Sequence, residues 1–247
     1  MAIKKDIGFI LRNFDFRETS KIAHVFTQKN GKIHGLLKGF RTGKKEFTTT
    51  LDTFSLNEIV FYESRNELWL VSAADLISGF SYLKENTEKN LVANFIVELV
   101  DKVSPLHHPC PEIFELLYDS FRYSQENFQK KIFYIAQVRV LELSGFRPHL
   151  TACVKCSSEV QAQAFFSIKL GGLICPKCSA DDRSARELSG EVISSLKYIQ
   201  NNEFNISLRL TLSANTEKEI LGILDDFLGF HLDTRIKSLS AIEAFKY

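Results

Sequence analysis

The sequence predicts an α+β chain, with a small N-terminal β-barrel followed by a helical domain that carries a four-cysteine insert. Three observations predict it. Short strands run to about residue 80, helical periodicity takes over from about residue 85, and two C-x2-C pairs follow near residues 153 and 175.

The strands come in order. Asp6–Phe16 is apolar-rich and extended, and Lys21–Gln28 follows a polar turn. Asn30-Gly31 is a hairpin signal, because both residues tolerate positive φ. Beyond it Ile33, Gly35 and Leu37 point one way, and Lys32, His34 and Lys38 the other, interrupted by Leu36. That alternation predicts a basic stripe on the solvent face of the third strand. Residues 39–53 read as a loop bearing Arg41, Lys44 and Lys45. Two more strands, Leu56–Tyr62 and Leu68–Ala74, are joined by the polar turn Glu63-Ser64-Arg65-Asn66. Five short strands match a closed barrel of the OB type, whose open face receives nucleic acid, although an SH3-like barrel gives much the same pattern.

Charge sharpens that reading. The 247 residues carry a net charge of +1, but residues 1–45 hold eleven Lys and Arg against Asp6, Asp15 and Glu18, a net +8 that leaves −7 for the rest. One electropositive end on an acidic chain points to a polyanionic partner; the alternative is lysines that only keep a small barrel soluble. Phe40 and Phe47, interleaved with the basic loop, suit base stacking or barrel packing.

From residue 85 the period changes. Leu91, Val92, Phe95, Ile96, Leu99, Val100 and Val103 form one helix face, ended at Ser104-Pro105. A second helix starts at Pro111 and runs to about Ser124; a third, about Phe128–Ser144, stops at Gly145. Later helices are expected near Gly190–Asn201 and Thr216–Leu232, the last with Thr216 and Glu219 at capping-box spacing. The expected division is a barrel over residues 1–80 and a helical domain over 81–247, with the cysteine module at about 150–181.

Cys153, Cys156, Cys175 and Cys178 form C-x2-C-x18-C-x2-C. Each tight knuckle presents two sulfurs, and four thiolates around one ion leave no open position, so the expectation is one structural Zn2+. Knuckles often place glycine after the second cysteine; here Ser157 and Ser179 stand there. Cys110, in His107-His108-Pro109-Cys110, reads as a thiol in an interhelical loop. Asp225-Asp226 reads as part of a solvated helix face. No P-loop, G-x-S-x-G or H-E-x-x-H occurs, so the chain reads as a non-enzyme.

No stretch of about 18 apolar residues occurs, so no membrane span is expected. Met1-Ala2-Ile3-Lys4-Lys5-Asp6 lacks the pattern of a secretory signal. The expected compartment is a reducing, cytoplasmic one.

The order of these features resembles the RecO recombination-mediator family of bacteria. The resemblance starts with Arg17-Glu18-Thr19-Ser20 and the hairpin Asn30-Gly31-Lys32. It continues through Leu37-Lys38-Gly39-Phe40-Arg41 and Leu51-Asp52-Thr53-Phe54, where Thr53 replaces a usual proline. Leu141 to Leu150 then runs into the first knuckle and Gly171 to Cys175 into the second, and Phe227–His231 with Arg235, Lys237 and Ser238 follows. The resemblance implies an OB barrel, a helical domain and an embedded zinc module. It further implies binding of single- and double-stranded DNA, strand annealing, and contact with RecR and with the C-terminal tail of single-stranded-DNA-binding protein, so that RecA recombinase is loaded in a nucleoid-associated role. Lys32, His34, Lys38, Arg41, Lys44 and Lys45 are the expected DNA contacts. Arg139, Arg235 and Lys237 are candidates for the rim of a partner-peptide groove. A zinc-stabilised OB-fold protein that binds or processes RNA is the alternative.

Overall fold

Five strands form a closed barrel: β1 (Ile3–Phe16), β2 (Ser20–Thr27), β3 (Gly31–Leu37), β4 (Leu56–Tyr62) and β5 (Leu68–Ser78). The computed structural model describes residues 3–42, 47, 51–126, 130–160, 164–232 and 236–245. Its chain falls into two units, residues 1–128 with 237–247, and residues 129–236.

The barrel order is β1-β2-β3-β5-β4, closed by antiparallel β4 and β1. β3 and β5 pair in parallel, from His34 beside Leu68 to Leu37 beside Val71. This pairing is the OB arrangement, and it resolves the SH3-like alternative. Inside lie Ile10, Val25, Ile33, Ile59, Phe61 and Val71. Gly31 fills the hairpin position at φ +67, and a Cβ there would come within 2.3 Å of the His108 carbonyl oxygen. Conformation and close approach both require glycine.

The helices are α1 (Tyr82–Glu85), α2 (Thr87–Val103), α3 (Pro111–Glu126), α4 (Lys131–Leu143), α5 (Pro176–Ser179), α6 (Gly190–Asn201), α7 (Phe204–Ser207), α8 (Ala214–His231) and α9 (Lys237–Phe245). In the first unit, Phe9 on the outside of β1 meets the rings of Phe80, Phe114 and Phe121 at 6.0, 5.1 and 5.6 Å, and Phe54 joins Phe121 at 5.9 Å. Five of the chain's 21 phenylalanines therefore join barrel to helices, where tilted and edge-on rings pack favourably.

Asp101, in the last turn of α2, makes the second connection. It is 8% exposed, takes a 2.9 Å hydrogen bond with His24 Nδ1, and has Lys32 Nζ at 3.6 Å and Arg12 at 3.8 Å. Lys32 also donates to the Asp101 backbone carbonyl. One carboxylate thus ties α2 to β1, β2 and β3. Burial, the largest influence on Asp101, raises its pKa, but the His24 bond and the charges of His24, Lys32 and Arg12 hold it below the ordinary value. For Lys32 burial wins and pulls the pKa down against the attraction of Asp101. The carboxylate, with three partners to the lysine's one, is the better compensated of the two.

The second unit packs α4, α6 and α8 together and carries a small sheet, β7 (Gly172–Ile174), β6 (Ala164–Ser167) and β8 (Arg186–Leu188), in that order. The cap of α8 is Ser213, whose side chain accepts the Thr216 N–H at 3.1 Å. The capping box expected from Thr216 and Glu219 is therefore displaced. Glu219 instead accepts from the backbone N–H and hydroxyl of Ser189, the cap of α6, at 2.9 and 3.1 Å. Periodicity located the helix, but Ser213 begins it a turn earlier. The chain returns to the first unit in α9, where Glu98 of α2 accepts the N–H groups of Lys237 and Ser238 at 2.8 and 2.9 Å.

Asp101→Ala should lower the stability of the first unit by about 3 kcal/mol, because it takes the carboxylate from buried Lys32, which keeps only its bond to the backbone carbonyl, and from half-buried His24. The sign with pH follows from the depressed carboxyl. Its contribution is complete above about pH 4 and is lost as pH falls through the lower folded value. Urea denaturation at neutral and acid pH should show the gap between wild type and variant shrinking in acid.

Candidate metal centre and nucleic-acid interface

The first knuckle begins where Leu150 is buried and the chain pairs beside β7: His149 N–H donates to Gly171 at 2.9 Å, and Val154 N–H to Leu173 at 2.8 Å. A Cβ on Gly172 would meet the His149 carbonyl oxygen at 2.6 Å, so the two segments touch backbone to backbone. β7 then delivers Cys175 to the start of α5, with Pro176 at the first helical position. The sulfurs of Cys153, Cys156, Cys175 and Cys178 lie within 4.8 Å of one another. Cys156 Sγ and Cys175 Sγ are 3.8 Å apart, about the edge of a tetrahedron built on ~2.3 Å metal–sulfur bonds. The donor set fits one metal ion and closes around it.

The electrostatic setting differs from one sulfur to the next. Burial would raise the Cys153 thiol, but N–H groups of Cys175, Cys156 and Lys155 bring it down to about 6. Cys178, which shares hydrogen bonds with Cys175 and Cys156, is pushed up to about 12. Lys155 bridges the knuckles to Asp181 at 2.9 Å. Ser157 takes the left-handed conformation, φ +59, that the knuckle demands, whereas Ser179 ends α5 and needs no such turn. Among the described residues, this is the one group of His, Cys, Asp and Glu side chains gathered closely enough to hold a metal. His107 and His108 therefore do not join Cys110 at an ion; His107 stacks on Trp69 at 4.3 Å.

The expected DNA contacts separate. Lys32 is buried on Asp101, and His34 stacks on His24 at 3.9 Å, so neither forms the solvent-facing stripe read from alternation. Period two identifies a shared face, but it carries no information that α2 covers part of that face. Lys38 and Arg41 are exposed beyond the end of β3. Arg41 N–H donates to Thr19 at 3.0 Å, which sets this loop beside the β1–β2 turn, and its guanidinium lies 3.5 Å from Asp15. Lys44 and Lys45 lie outside the described residues. Phe40 and Phe47 are half-buried and pack against the barrel core with their rings 5.2 Å apart.

Arg139 on α4 is bonded to Glu142 at 3.1 Å and faces the Gln200 carbonyl at 3.4 Å. Lys237 opens α9 in the other unit, and Arg235 lies outside the described residues. Asp225 and Asp226 lie outside the metal-capable group, as the solvated-face reading expects, although neither is fully exposed. They are half-buried, Asp225 accepting from Gln137 at 3.5 Å and Asp226 pairing with Arg186 at 2.5 Å.

A family model described as Recombination protein O N terminal matches residues 1–80, and one described as Recombination protein O C terminal matches residues 84–240. The chain belongs to the RecO family. Proteins named DNA repair protein RecO align along its length. That of Caldicellulosiruptor saccharolyticus is 25% identical over 247 residues, covering 100% of both chains. That of Alkaliphilus metalliredigens is 28% identical, covering 94% of this chain and 95% of its own. That of Bacillus pumilus is 27% identical, covering 100% and 96%. RecO is a family of DNA-repair proteins, and with it goes the non-enzymatic reading. No helix among the described residues is long and apolar enough to cross a membrane.

Ser157→Gly should stabilise the first knuckle by about 1 kcal/mol, since it relieves an L-residue held in the left-handed region. Ser179→Gly should bring no gain, because glycine is unfavourable in a helix. Alkylation of the four cysteines by iodoacetamide, slowed in the first variant alone, checks the difference.

Proposed function

We propose that this chain is a recombination mediator of the bacterial cytoplasm, associated with the nucleoid. It binds single- and double-stranded DNA through the basic end of its barrel and anneals complementary strands. With RecR, it helps place RecA on strands coated by single-stranded-DNA-binding protein. The observation that carries this reading is the family match over both halves, joined to a +8 segment wound into an OB barrel. Lys38 and Arg41, with Lys44 and Lys45, form the phosphate track. Each neutralised phosphate releases counterions and adds affinity with little base information. Lys32 acts through Asp101 as a positioning group, and His34 lies beside it.

The metal is one structural zinc on Cys153, Cys156, Cys175 and Cys178, which fixes the module and leaves no coordination position for chemistry. Contact with the acidic tail of single-stranded-DNA-binding protein falls to Arg139 on α4, in the second unit. There Arg139 exchanges Glu142 for a peptide carboxylate.

Replacing Lys38, Arg41, Lys44 and Lys45 by alanine should weaken single- and double-stranded DNA binding together. It should also lower the slope of log K against log salt by up to about 3 on a single strand, roughly 0.7 for each phosphate no longer neutralised. An unchanged slope in anisotropy titrations would move the binding surface elsewhere. Elemental analysis of protein purified without chelator should find one zinc per chain, and Cys175→Ser should lose it while the barrel's thermal transition stays in place.

A further inference from the structure

The aromatic residues expected to stack bases, Phe40 and Phe47, are half-buried against the barrel core, whereas on the outer face of β1 Phe14 is exposed beside a half-buried Phe16. On β1, Arg12, Phe14 and Phe16 share the outer face, and Arg17 follows in the β1–β2 turn. Phe14 lies opposite Ile22, and Ile22 opposite Leu36, so an apolar row crosses three strands. Ile22 in that row is 9% exposed, but Phe14 is 40% exposed. Its ring meets the edge of His24 at 5.9 Å and otherwise opens outward. Each of the two rings carries a guanidinium: Arg12 lies 5.7 Å from the Phe14 centroid, and Arg17 lies 5.2 Å from that of Phe16. Arg17, at φ +55, turns back over Phe16.

We infer that Phe14 and Phe16, two residues apart on the outer face of the first strand and each flanked by an arginine, are the platform on which unpaired bases of single-stranded DNA stack. The inference rests on the reading that this barrel binds DNA, and it assigns the base contacts that the phosphate track does not supply. Residues i and i+2 of a strand are about 7 Å apart, which leaves each ring room for a flat base. An exposed ring beside a guanidinium matches the two surfaces of a single strand, a π-face and a phosphate, and every base offers the first. Charge favours the same occupant. Arg12 and Arg17 are exposed on this face, and Lys38 and Arg41 continue the positive charge past the turn. Of the nearby acids, Asp15 is met by Arg41 at 3.5 Å and Lys21 at 4.0 Å and Asp101 is shared by Arg12 at 3.8 Å, while Glu18 is exposed in the turn beside Arg17. A duplex keeps its bases stacked inside and would leave the exposed Phe14 ring in water.

The test uses the full chain, a labelled oligo(dT), a duplex of the same length, and an abasic oligonucleotide. Phe14→Ala should lose about 5- to 150-fold on oligo(dT), the range of one base–aromatic stack, and stay within about twofold on the duplex. Phe14→Trp should keep wild-type affinity, and the salt slope of Phe14→Ala should be unchanged, because every phosphate keeps its cation. Wild type should prefer oligo(dT) to the abasic strand, and Phe14→Ala should lose that preference. Equal losses on single strand and duplex, no loss at all, or a wild type indifferent to the bases would overturn the platform while leaving the phosphate track standing. A wild type that binds none of the three would overturn the DNA reading itself.

Discussion

The arrangement of the first unit depends on one buried carboxylate. Asp101 draws Arg12, His24 and Lys32 to the end of α2, and with them three adjacent strands. Such a site is not a strong source of net stability, since taking these groups out of water costs nearly as much as their attraction returns. What it supplies is placement. An apolar helix face slides over a barrel with little preference, whereas a carboxylate with three named partners has one position. It also divides the outer barrel surface. Toward Phe9 the strands are sealed by aromatic packing, and toward Phe14 they are open.

That division changes the number of cations open to a ligand. The +8 of the N-terminal segment is not all on display, because Lys32 is committed to Asp101 and Lys21 shares Asp15 with Arg41. Among the described residues, exposed Arg17 lies in the β1–β2 turn and exposed Lys38 and Arg41 in the loop after β3, with Lys29 exposed at the opposite hairpin. The cysteine module makes the opposite kind of use of its charges. Its sheet has strands of four, three and three residues, too short to hold together by burial alone, and four sulfurs beside it are gathered closely enough to hold a metal ion.

Much of this was legible in the sequence because it was local. The strands near 20–27 and 56–62, the Asn30-Gly31 hairpin, the helix ended by Pro105 and the paired knuckles all depend on neighbours within a few residues. Misreadings came where a distant partner decided. Lys32 alternates like a surface residue, and only the approach of Asp101, 69 residues away, buries it. Glu219 has capping-box spacing but caps a different helix, 30 residues away at Ser189. Phe40 and Phe47 carry no sign that they pack against the core, since a ring beside lysines has the same letters whether it meets a core or a base. The short helices α7 and α9 are too brief for periodicity to register.

The return of the chain in α9 separates covalent order from structural order. The first unit is interrupted by the whole of the second, and its last helix is held by Glu98 through the backbone of Lys237 and Ser238. On the ribosome, the barrel and α1 to α3 emerge well before that helix, with the face that takes α9 still bare. Completion of the first unit therefore waits for residues synthesised after the second. Nascent chains stalled within residues 129–236 would hold a barrel able to form its strands but lacking its final clasp, a species suited to chaperone capture and quickly lost on release.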